Sequence, residues 1–582
     1  MAEGNQVKQN IEKVWFLGEF KLACSGPASF VQFQQMTRPI AAPAGSHRPF
    51  YRQWAWWCTL VVLVLIACIR LRLLEFPLER DEGEYAYTGQ LMLQGVPPYH
   101  LVYNMKFPGT YAAYAVIMAL FGQTPAGIHL GVLCVTTLTA LMLYGIGRRW
   151  VNEPAGIVAA TTYAALAASP QLLGLAGHAT HFCALFVTAG LCFLWPVGRN
   201  LNWKNAVAGG FLFGLAVLMK QHAAVFCLWG LGVLVVNGWR QYETSAAKRL
   251  LPCAAFCFGV ALPLLLTGMV LWHDGVFGSF WFWTISYAGA YVSEVPWSLA
   301  PRLFFHGVSQ IIPNTILLWL VAAAGLGLVW WPGRFRTVRL PLSSLVVISF
   351  LAVCPGFYFR MHYFLLMLPA VALCAAWAVN AVDQLWLQSS SSAKTISWPV
   401  RAYGLVLAVT IFANRETWFQ ATPAQAAAKI YGGNPFTESE MVSAFIRTNS
   451  PPGARVAVLG SEPQIYFLSH RHAATGYIYM YPLMEPQLFA DRMQQEMIRE
   501  IEAADPEYVV TVLVAGSWLP RPESDTRLLD WWSQAYVTNF TLAGVVVMDP
   551  PRESRYFLGP NITNYQGLPD CGLAIFQRKA LK

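Results

Sequence analysis

Residues Trp54 to Ile69 read WAWWCTLVVLVLIACI, an apolar stretch without a charge, and the acidic segment Glu79 to Tyr87, ERDEGEYAY, follows it closely. A span of the bilayer needs about 20 mostly apolar residues, so the first stretch predicts a membrane helix. Carboxylates next to hydrocarbon are costly unless they are solvated, paired or used. The acidic segment therefore indicates a site at the point where the first helix leaves the membrane.

The composition of the whole chain is that of an integral membrane protein. Of 582 residues, 56% are hydrophobic and only 12% are charged, and the mean hydropathy is +0.43. Soluble domains carry about 25% charged residues. The apolar runs predict an α-helical polytopic protein with about eleven spans, near 54–74, 127–147, 154–173, 180–198, 205–220, 221–238, 250–272, 308–331, 340–356, 362–382 and 399–416.

The loops between these runs predict the topology. Basic clusters such as Arg148 with Arg149 fall on alternate loops, which the positive-inside rule assigns to the cytoplasm. The net charge of +9 therefore has a topological use and does not indicate a nucleic-acid partner. Arg70 and Arg72 break the pattern at the outer end of the first span, where they could snorkel to lipid phosphates. The segment Pro108 to Phe121 is too short to span and is predicted to be an interfacial helix of the first outer loop.

Three regions are predicted along the chain. Residues 1–50 form a cytoplasmic N-terminal extension, 51–418 a membrane region, and 419–582 a soluble α/β domain that an odd number of spans puts outside the cytoplasm. The strands of that domain are predicted at 455–460, 508–514, 542–548 and 573–577, and its helices at 437–448, 463–469 and 485–504. Thr437 and Glu440 are predicted to form the capping box of the first of these helices.

The acidic segment carries the residues best suited to chemistry. If residues 80–88 are helical, Asp81, Glu84, Tyr85 and Thr88 share one face, while Glu82 points elsewhere. One carboxylate on that face could act as a base, and its neighbour could orient a partner or bind a cation. The alternative is an acidic interfacial helix that faces water.

Further candidates lie at the predicted outer face. His178 and His181 have i, i+3 spacing and could bind a metal or an acceptor, although such a pair is more often structural. No third ligand can be placed from the sequence, so we predict that no cofactor is required and that a divalent cation could bind. Lys220 interrupts two apolar segments and could bind a phosphate or snorkel to lipid. The twelve cysteines include no CxxC pair and indicate no disulfide framework.

The motif Arg80-Asp81-Glu82-Gly83-Glu84-Tyr85-Ala86-Tyr87, followed by Lys106-Phe107-Pro108-Gly109, resembles the C-type (GT-C) glycosyltransferases of the protein-mannosyltransferase superfamily. It is most similar to the bacterial branch of the aminoarabinose transferases and the rhizobial galacturonosyltransferases. Gly356 to Tyr363, GFYFRMHY, also looks like the late outer loop of these enzymes. The resemblance covers roughly residues 54–416 and implies a GT-C-like membrane fold.

Such enzymes transfer a sugar from a polyprenyl-phosphate donor to an acceptor hydroxyl outside the cytoplasm, with inversion at the anomeric carbon. The resemblance implies that Asp81 is the general base and that Glu82 steadies it or a divalent ion. It also implies cations at the donor phosphate and side chains that contact the substrate. The phosphate candidates are Arg80, Lys106, Lys220 and Arg360, and the substrate candidates are Glu84, Tyr85, His362 and Tyr363. The chain departs from many relatives at Gly177 to His181, where no carboxylate is present.

The sequence therefore predicts an inverting glycosyltransferase of the cytoplasmic membrane. Its partners would be a polyprenyl-phosphate sugar, membrane lipids and an acceptor that is a glycan, a lipid or a protein. The alternative is a polytopic glycolipid transporter or flippase in which the carboxylates relay protons. Transporters favour ionisable residues inside spans and duplicated halves, whereas these acids lie at an outer edge and no repeat is visible. A receptor that binds ligands through the α/β domain lacks a signalling segment.

Overall fold

The computed structural model describes residues 50–194, 202–239, 245–331, 336–389, 398–549 and 552–579. The chain divides into two units between Gln53 and Trp54. All features below, apart from the first turn of the first helix, belong to the second unit. Of the predicted N-terminal extension, all but Phe50 lies outside the described residues.

The described part of the chain from residue 50 to residue 413 is mainly helical. Its α-helices are α1 (Phe50–Arg72), α2 (Arg80–Leu93), α3 (Pro108–Phe121), α4 (Pro125–Trp150), α5 (Glu153–Ala167), α6 (Ala179–Leu194), α7 (Trp203–Met219), α8 (Ala224–Trp239), α9 (Ala246–His273), α10 (Phe277–Trp281), α11 (Ala288–Val292), α12 (Ala300–Ile311), α13 (Ile316–Leu328), α14 (Arg336–Val353), α15 (Leu368–Ser389) and α16 (Trp398–Ala413). Short 3-10 turns at Pro355–Phe357 and Met361–Met367 precede α15. Helix α3 has the bounds that the sequence predicts for the interfacial helix.

Within the described residues, four helical segments are long and apolar enough to cross a membrane, or five if one bent pair is counted as a span. The four are Pro125–Trp150, Gln221–Trp239, Ala246–His273 and Met361–Trp386. Shorter apolar helices, among them α3, α6, α7 and α16, accompany them. The chain is thus a multi-pass membrane protein, and the number of about eleven spans is not confirmed.

The span predicted at 308–331 is broken in the structure. Helix α12 ends at Ile311, α13 begins at Ile316, and the two halves are bent by 116°. Pro313 cannot donate a backbone hydrogen bond, and Asn314 takes a left-handed φ of 61°. Both features oppose a continuous helix, which is the physical reason for the break.

The two arginines at the end of α1 bind backbone carbonyls of the protein. Arg70 is buried and donates from Nη2 to the carbonyls of Ala167 and Gly174, at 2.6 and 2.7 Å. The prediction that it snorkels to lipid is therefore wrong, because carbonyls left free at helix ends accept its hydrogen bonds. Arg72 donates to the carbonyls of Trp418 and Ala421.

The last part of the chain builds a mixed six-stranded sheet. The strands are β1 (Arg455–Leu459), β2 (His472–Ala473), β3 (Tyr508–Leu513), β4 (Phe540–Val547), β5 (Arg555–Leu558) and β6 (Gly572–Arg578), in the order β2-β1-β3-β6-β4-β5. β1 pairs in parallel with β2 and β3, and the other pairings are antiparallel. The four predicted strands are therefore confirmed.

Helices flank this sheet. They are α17 (Pro423–Tyr431), α18 (Phe436–Asn449), α19 (Gln464–Ser469), α20 (Tyr481–Met484), α21 (Ala490–Ala504), α22 (Ala515–Trp518) and α23 (Arg527–Gln534). The predicted capping box is wrong, because α18 begins at Phe436 and its cap residue, Pro435, offers no side-chain acceptor. We call residues 423–579 the tail. Its treatment as a domain separate from the membrane region stays a prediction.

Candidate active site

Helix α2 orients the acidic segment. Its N-terminus is closed by a capping box, in which the carboxylate of Glu79 accepts from the backbone N–H of Glu82 and the side chain of Glu82 accepts in return. The helix places Asp81 and Glu84 one turn apart on one face, as the sequence predicts. Both carboxylates bind the same cation.

That cation is Lys106, which lies just before α3. Its Nζ donates to Asp81 Oδ1 and to Glu84 Oε2, each at 2.7 Å. The ammonium also lies over the rings of Tyr85 and Tyr479, 4.6 and 5.1 Å from their centroids. Burial lowers the pKa of Lys106, but the two carboxylates raise it more, so the net pKa lies above its ordinary value. The lysine therefore carries a positive charge in the site.

The two oxygens of Asp81 have different environments. Oδ1 accepts from Lys106 and, at 2.9 Å, from the hydroxyl of Tyr479. Oδ2 lies 4.0 Å from His362 Nε2. Burial raises the pKa of Asp81, but the Lys106 ammonium leads the opposing interactions, and the net pKa lies well below the usual range. Asp81 is therefore an ionised carboxylate with one oxygen held and the other open to proton transfer.

Glu84 and Glu82 are buried beside this carboxylate. Glu84 accepts from Asn104 at 2.8 Å and from the Tyr111 hydroxyl at 2.5 Å, besides Lys106. Glu82 turns the other way: Oε1 accepts from the backbone N–H of Gly177 at 2.5 Å and lies 3.1 Å from His129 Nε2. Neither carboxylate lines the cavity described next. Glu84 holds Lys106, while Glu82 joins α2 to α4 and the loop before α6, so this geometry gives no support to a catalytic Glu82 or a substrate-binding Glu84.

A cavity of about 760 Å³ opens in front of Asp81. Its wall contains nine of the twelve residues singled out in the sequence: Arg80, Asp81, Tyr85, Lys106, His178, Lys220, Arg360, His362 and Tyr363. Lys220 follows the last residue of α7, and Arg360 precedes the 3-10 turn before α15. The membrane helices thus bring together residues that are far apart in sequence.

Lys220 and Arg360 are the cations with the fewest internal partners in this wall. Lys220 Nζ lies 4.3 Å from the centroid of the Tyr363 ring, and the Arg360 guanidinium lies 5.5 Å from that of Tyr358. Among the described residues, no carboxylate forms an ion pair with either side chain. Unpaired cations in a cavity wall suit an anionic ligand.

Arg80 differs from these two cations because the tail binds its guanidinium. Nε donates to the carbonyl of Ser461 at 2.5 Å, and Nη2 donates to Glu462 Oε1 at 2.6 Å. The rings of Phe436 and Tyr481 lie within 5.6 Å of its guanidinium carbon. The structure thus gives no support to Arg80 as a ligand of the donor phosphate.

Three residues at the cavity could hold a metal ion. Ligand atoms of Asp81, His178 and His362 all lie within 4.8 Å of one another. The rings of His178 and His362 stack at 4.3 Å, whereas His181 lies 6.5 Å from His178 and outside this group. Burial lowers the pKa of His178 to about 4, so its ring is neutral. The predicted pairing of His178 with His181 is replaced by His178 with His362.

Sequence reasoning missed the contribution of the tail. Tyr479, Tyr481, Pro482 and Glu485 line the cavity, and Tyr479 binds Asp81 from 398 positions away. A motif search offers no signal for such a contact, because a tyrosine between β2 and α20 looks like an ordinary core residue.

A second depression adjoins the cavity. This groove has a volume of about 940 Å³ and is lined mostly by apolar side chains of α3, α6, α7 and α9, including Val116, Phe186, Leu218 and Leu266. Met219 lines both the groove and the cavity. A cavity with charged side chains in its wall, beside an apolar groove, suits an amphipathic ligand.

Comparisons with known proteins show what the whole chain is similar to. The sequence profile of the family described as dolichyl-phosphate-mannose-protein mannosyltransferase matches residues 106–267. Two relatives are undecaprenyl phosphate-alpha-4-amino-4-deoxy-L-arabinose arabinosyl transferases. The one from Edwardsiella ictaluri is 27% identical over 303 residues, which are 48% of this chain and 51% of the relative. The one from Pseudomonas aeruginosa is 27% identical over 273 residues, 41% and 49% of the two chains.

The chain spans about half the length of the curated relatives it matches. In structure, it is similar to ArnT from Cupriavidus metallidurans bound to undecaprenyl phosphate, with a TM-score of 0.55 at 16% identity over 84% of this chain and 96% of that one. The apo form of the same protein has a TM-score of 0.51 at 15% identity, over 90% and 98% of the two chains. The chain thus has a fold similar to that of ArnT, and its sequence resembles the bacterial aminoarabinose transferases.

Proposed function

We propose that this protein is an inverting glycosyltransferase that moves a sugar from a polyprenyl-phosphate donor to an acceptor hydroxyl. One observation carries the proposal. Asp81 keeps Oδ1 bound to Lys106 and Tyr479, whereas no described residue forms a hydrogen bond with Oδ2, which lies 4.0 Å from His362 Nε2 in a cavity whose wall also carries Lys220 and Arg360. A base and a cationic wall in one cavity are what glycosyl transfer from a phosphate requires.

In the proposed reaction, Asp81 Oδ2 takes the proton of the acceptor hydroxyl while the acceptor oxygen attacks the anomeric carbon. The bond from that carbon to the phosphate oxygen breaks, and the polyprenyl phosphate leaves with the electron pair. Attack opposite the leaving group inverts the anomeric configuration. The depressed pKa of Asp81 keeps the carboxylate ionised at neutral pH, so it is ready to accept the proton.

The leaving phosphate gains negative charge as the bond breaks, and cations that face it stabilise the transition state. We assign this role to Lys106, Lys220 and Arg360. Lys106 has three N–H donors and uses two of them on carboxylates, so one remains for the phosphate. Tyr85, His362 and Tyr363 line the same cavity and are proposed to contact the substrate.

The apolar groove beside the cavity suits the prenyl chain of the donor, since apolar surface would otherwise meet water or lipid headgroups. The relatives that the chain resembles are arabinosyl transferases, so the first sugar to test is an aminoarabinose carried on undecaprenyl phosphate. The acceptor is proposed to be a glycan, a lipid or a protein of the cell envelope.

We propose that transfer does not require a divalent cation. The side chains of Lys106, Lys220 and Arg360 already supply positive charge, and the leaving phosphate needs no protonation. If a divalent ion does bind, Asp81, His178 and His362 are its candidate ligands.

The site is proposed to face away from the cytoplasm, in the cytoplasmic membrane, with residues 1–50 inside and residues 419–582 outside. The alternation of basic loops supports this orientation. The contacts of the tail with α2 require in addition that the tail lies on the same face of the membrane as Asp81, whichever face that is.

The experiment reconstitutes the full chain in vesicles with envelope lipid and glycan extracts and follows release of undecaprenyl phosphate from a panel of radiolabelled undecaprenyl-phosphate sugars. Asp81→Asn should lower turnover by about 10²- to 10⁴-fold, because it removes the base but keeps the volume. The control is Asp491→Asn, which changes an exposed aspartate paired with Arg527 in the tail.

A second arm of the experiment adds a chelator of divalent cations, which should leave turnover unchanged. Near wild-type turnover in Asp81→Asn would show that Asp81 is not the base. If the wild-type protein released undecaprenyl phosphate from no donor in the panel, the proposed activity would be wrong.

A further inference from the structure

Helix α2 makes contacts on two faces, one toward the cavity and one toward the tail. Asp81, Glu84 and Tyr85 lie toward the cavity and Lys106. A second stripe, at i, i+3, i+7 and i+10, meets the tail and consists of Arg80, Gly83, Tyr87 and Gln90. This spacing is that of one side of an α-helix. The motif that carries the candidate chemistry is therefore also a docking surface for the tail.

The tail is held closely along this stripe. Arg80 and Glu462 form an ion pair at 2.6 Å in which the Glu462 side chain is fully buried. The backbone N–H of Ala473 donates to the Tyr87 hydroxyl at 2.8 Å, and Gln90 Nε2 lies 3.0 Å from His470 Nδ1. A Cβ on Gly83 would lie 2.5 Å from the backbone nitrogen of Gln464. These contacts fix the position of the tail relative to α2.

The docked tail delivers one side chain to the base. Tyr479 is buried, and its hydroxyl donates to Asp81 Oδ1 at 2.9 Å. Its backbone is held on both sides: the N–H of Met480 donates to the Ser461 hydroxyl at 2.9 Å, and the N–H of Tyr103 donates to the Gly476 carbonyl at 2.8 Å. A side chain on such a fixed segment can hold a carboxylate in one rotamer.

From this geometry we infer that Tyr479 is a positioning residue for the proposed transfer. The inference rests on the proposed function of Asp81. The Tyr479 hydroxyl and the Lys106 ammonium both bind Oδ1, so rotation of the carboxylate is blocked and Oδ2 points to the acceptor. The tail is then part of the active site, because without Tyr479 only Lys106 would bind Asp81 Oδ1.

Tyr479→Phe in the full chain removes the hydroxyl and keeps the ring that packs beside Lys106. Loss of a hydrogen bond to a charged group predicts a fall in kcat of about 10- to 100-fold. The KM for the undecaprenyl-phosphate donor should not change, because Tyr479 binds the base and not the phosphate. The thermal midpoint should stay near that of the wild type.

The matched control is Tyr477→Phe. Tyr477 lies two residues away in the same segment and also donates to a carboxylate, Glu496 Oε2 at 2.9 Å, but it does not line the cavity. Its kcat should equal that of the wild type. A positioning role is overturned if Tyr479→Phe keeps the wild-type kcat, if its loss appears in donor KM, or if Tyr477→Phe loses kcat equally.

Asp81→Asn in the same assay separates the two hypotheses. If Asp81→Asn loses turnover while Tyr479→Phe does not, Tyr479 has no positioning role and the proposed function stands. If Asp81→Asn retains turnover, the proposed function fails, and the role given to Tyr479 fails with it.

Discussion

At the scale of single residues, the site is an arrangement of charges in which each carboxylate has a different task. Asp81 is ionised, and its Oδ1 is hydrogen-bonded while Oδ2 is open to proton transfer. Glu84 holds Lys106, and Glu82 links α2 to α4 and to the loop before α6. Burial raises the pKa of Glu79 well above its usual range, and the neighbouring Asp81 raises it further, so Glu79 holds a proton more firmly than Asp81 does. The segment thus places one reactive oxygen among several structural ones.

Lys220 provides a residue-scale prediction for the donor phosphate. Lys220→Ala should weaken binding of undecaprenyl phosphate by about one to two decades, since a hydrogen bond to a charged group contributes about 1.5–3 kcal/mol. The measurement is equilibrium binding of undecaprenyl phosphate to the reconstituted protein. Lys429→Ala is the control, because Lys429 forms an exposed ion pair with Glu416. Equal affinity in Lys220→Ala and Lys429→Ala would show that Lys220 does not bind the phosphate.

Glu485 provides a prediction about pH and stability. Burial raises its pKa to about 7, although the hydrogen bond from Tyr287 lowers it. A raised pKa means that the folded protein binds this proton more tightly than the unfolded chain does. The resulting stability is present below the unfolded pKa of about 4.5 and is lost as the pH rises through 7.

The thermal midpoint of the wild type should therefore fall between pH 5 and pH 8 relative to that of Glu485→Gln, which cannot titrate at this position. The measurement is a thermal unfolding series of both proteins across that pH range. Parallel curves would show that Glu485 does not hold its proton in the folded state.

At the scale of elements, the docking of α2 against α19 depends on close backbone approach. Gly83→Ala should separate the two helices, because its Cβ would lie 2.5 Å from the Gln464 nitrogen and 2.9 Å from the Gln464 Cα. Overpacking of this kind costs about 1–3 kcal/mol. We expect a lower thermal midpoint together with lower turnover, since the tail carries Tyr479.

Gly145→Ala is the matched control for this element. Gly145 lies in α4, and a Cβ there meets no atom within 4 Å. Alanine favours a helix over glycine by about 1 kcal/mol, so this variant should be as stable as the wild type or more so. If Gly83→Ala behaved like Gly145→Ala, the close contact of α2 with α19 would not matter for stability.

At the scale of the whole molecule, membrane helices and tail surround one cavity. Lys220 and Arg360 come from the membrane region, Asp81 and Lys106 from the first loop, and Tyr479 from the tail. This architecture needs every contributing loop on one face of the membrane. It also explains why the tail borders α2 instead of standing apart from it.

The orientation of that face yields a further prediction. A reporter that is active only in the cytoplasm should stay silent when it is fused after Lys582, and the same reporter should be active before Met1. The reason is the alternation of basic loops under the positive-inside rule. A strong signal from the C-terminal fusion would show that the predicted topology is wrong and that the candidate site lies on the cytoplasmic face.

The sequence by itself determined the features that depend on local pattern. Apolar runs of bilayer length predicted a helical membrane protein, and short apolar stretches, most of them rich in valine, predicted the four strands that the structure confirms. Helical spacing in residues 80–88 predicted that Asp81 and Glu84 share a face. These features follow from the neighbours of each residue along the chain, so the sequence contains enough information for them.

Only the tertiary structure decided which distant groups meet. Arg80 pairs with Glu462 across 382 positions, and Tyr479 binds Asp81 across 398. It also decided that His362, and not His181, lies beside His178. Buried polar groups must find partners, but which partners they find depends on how elements pack, and no local pattern encodes that choice. The chemistry-bearing helix was therefore predictable, whereas the partners that assign each of its residues a task were not.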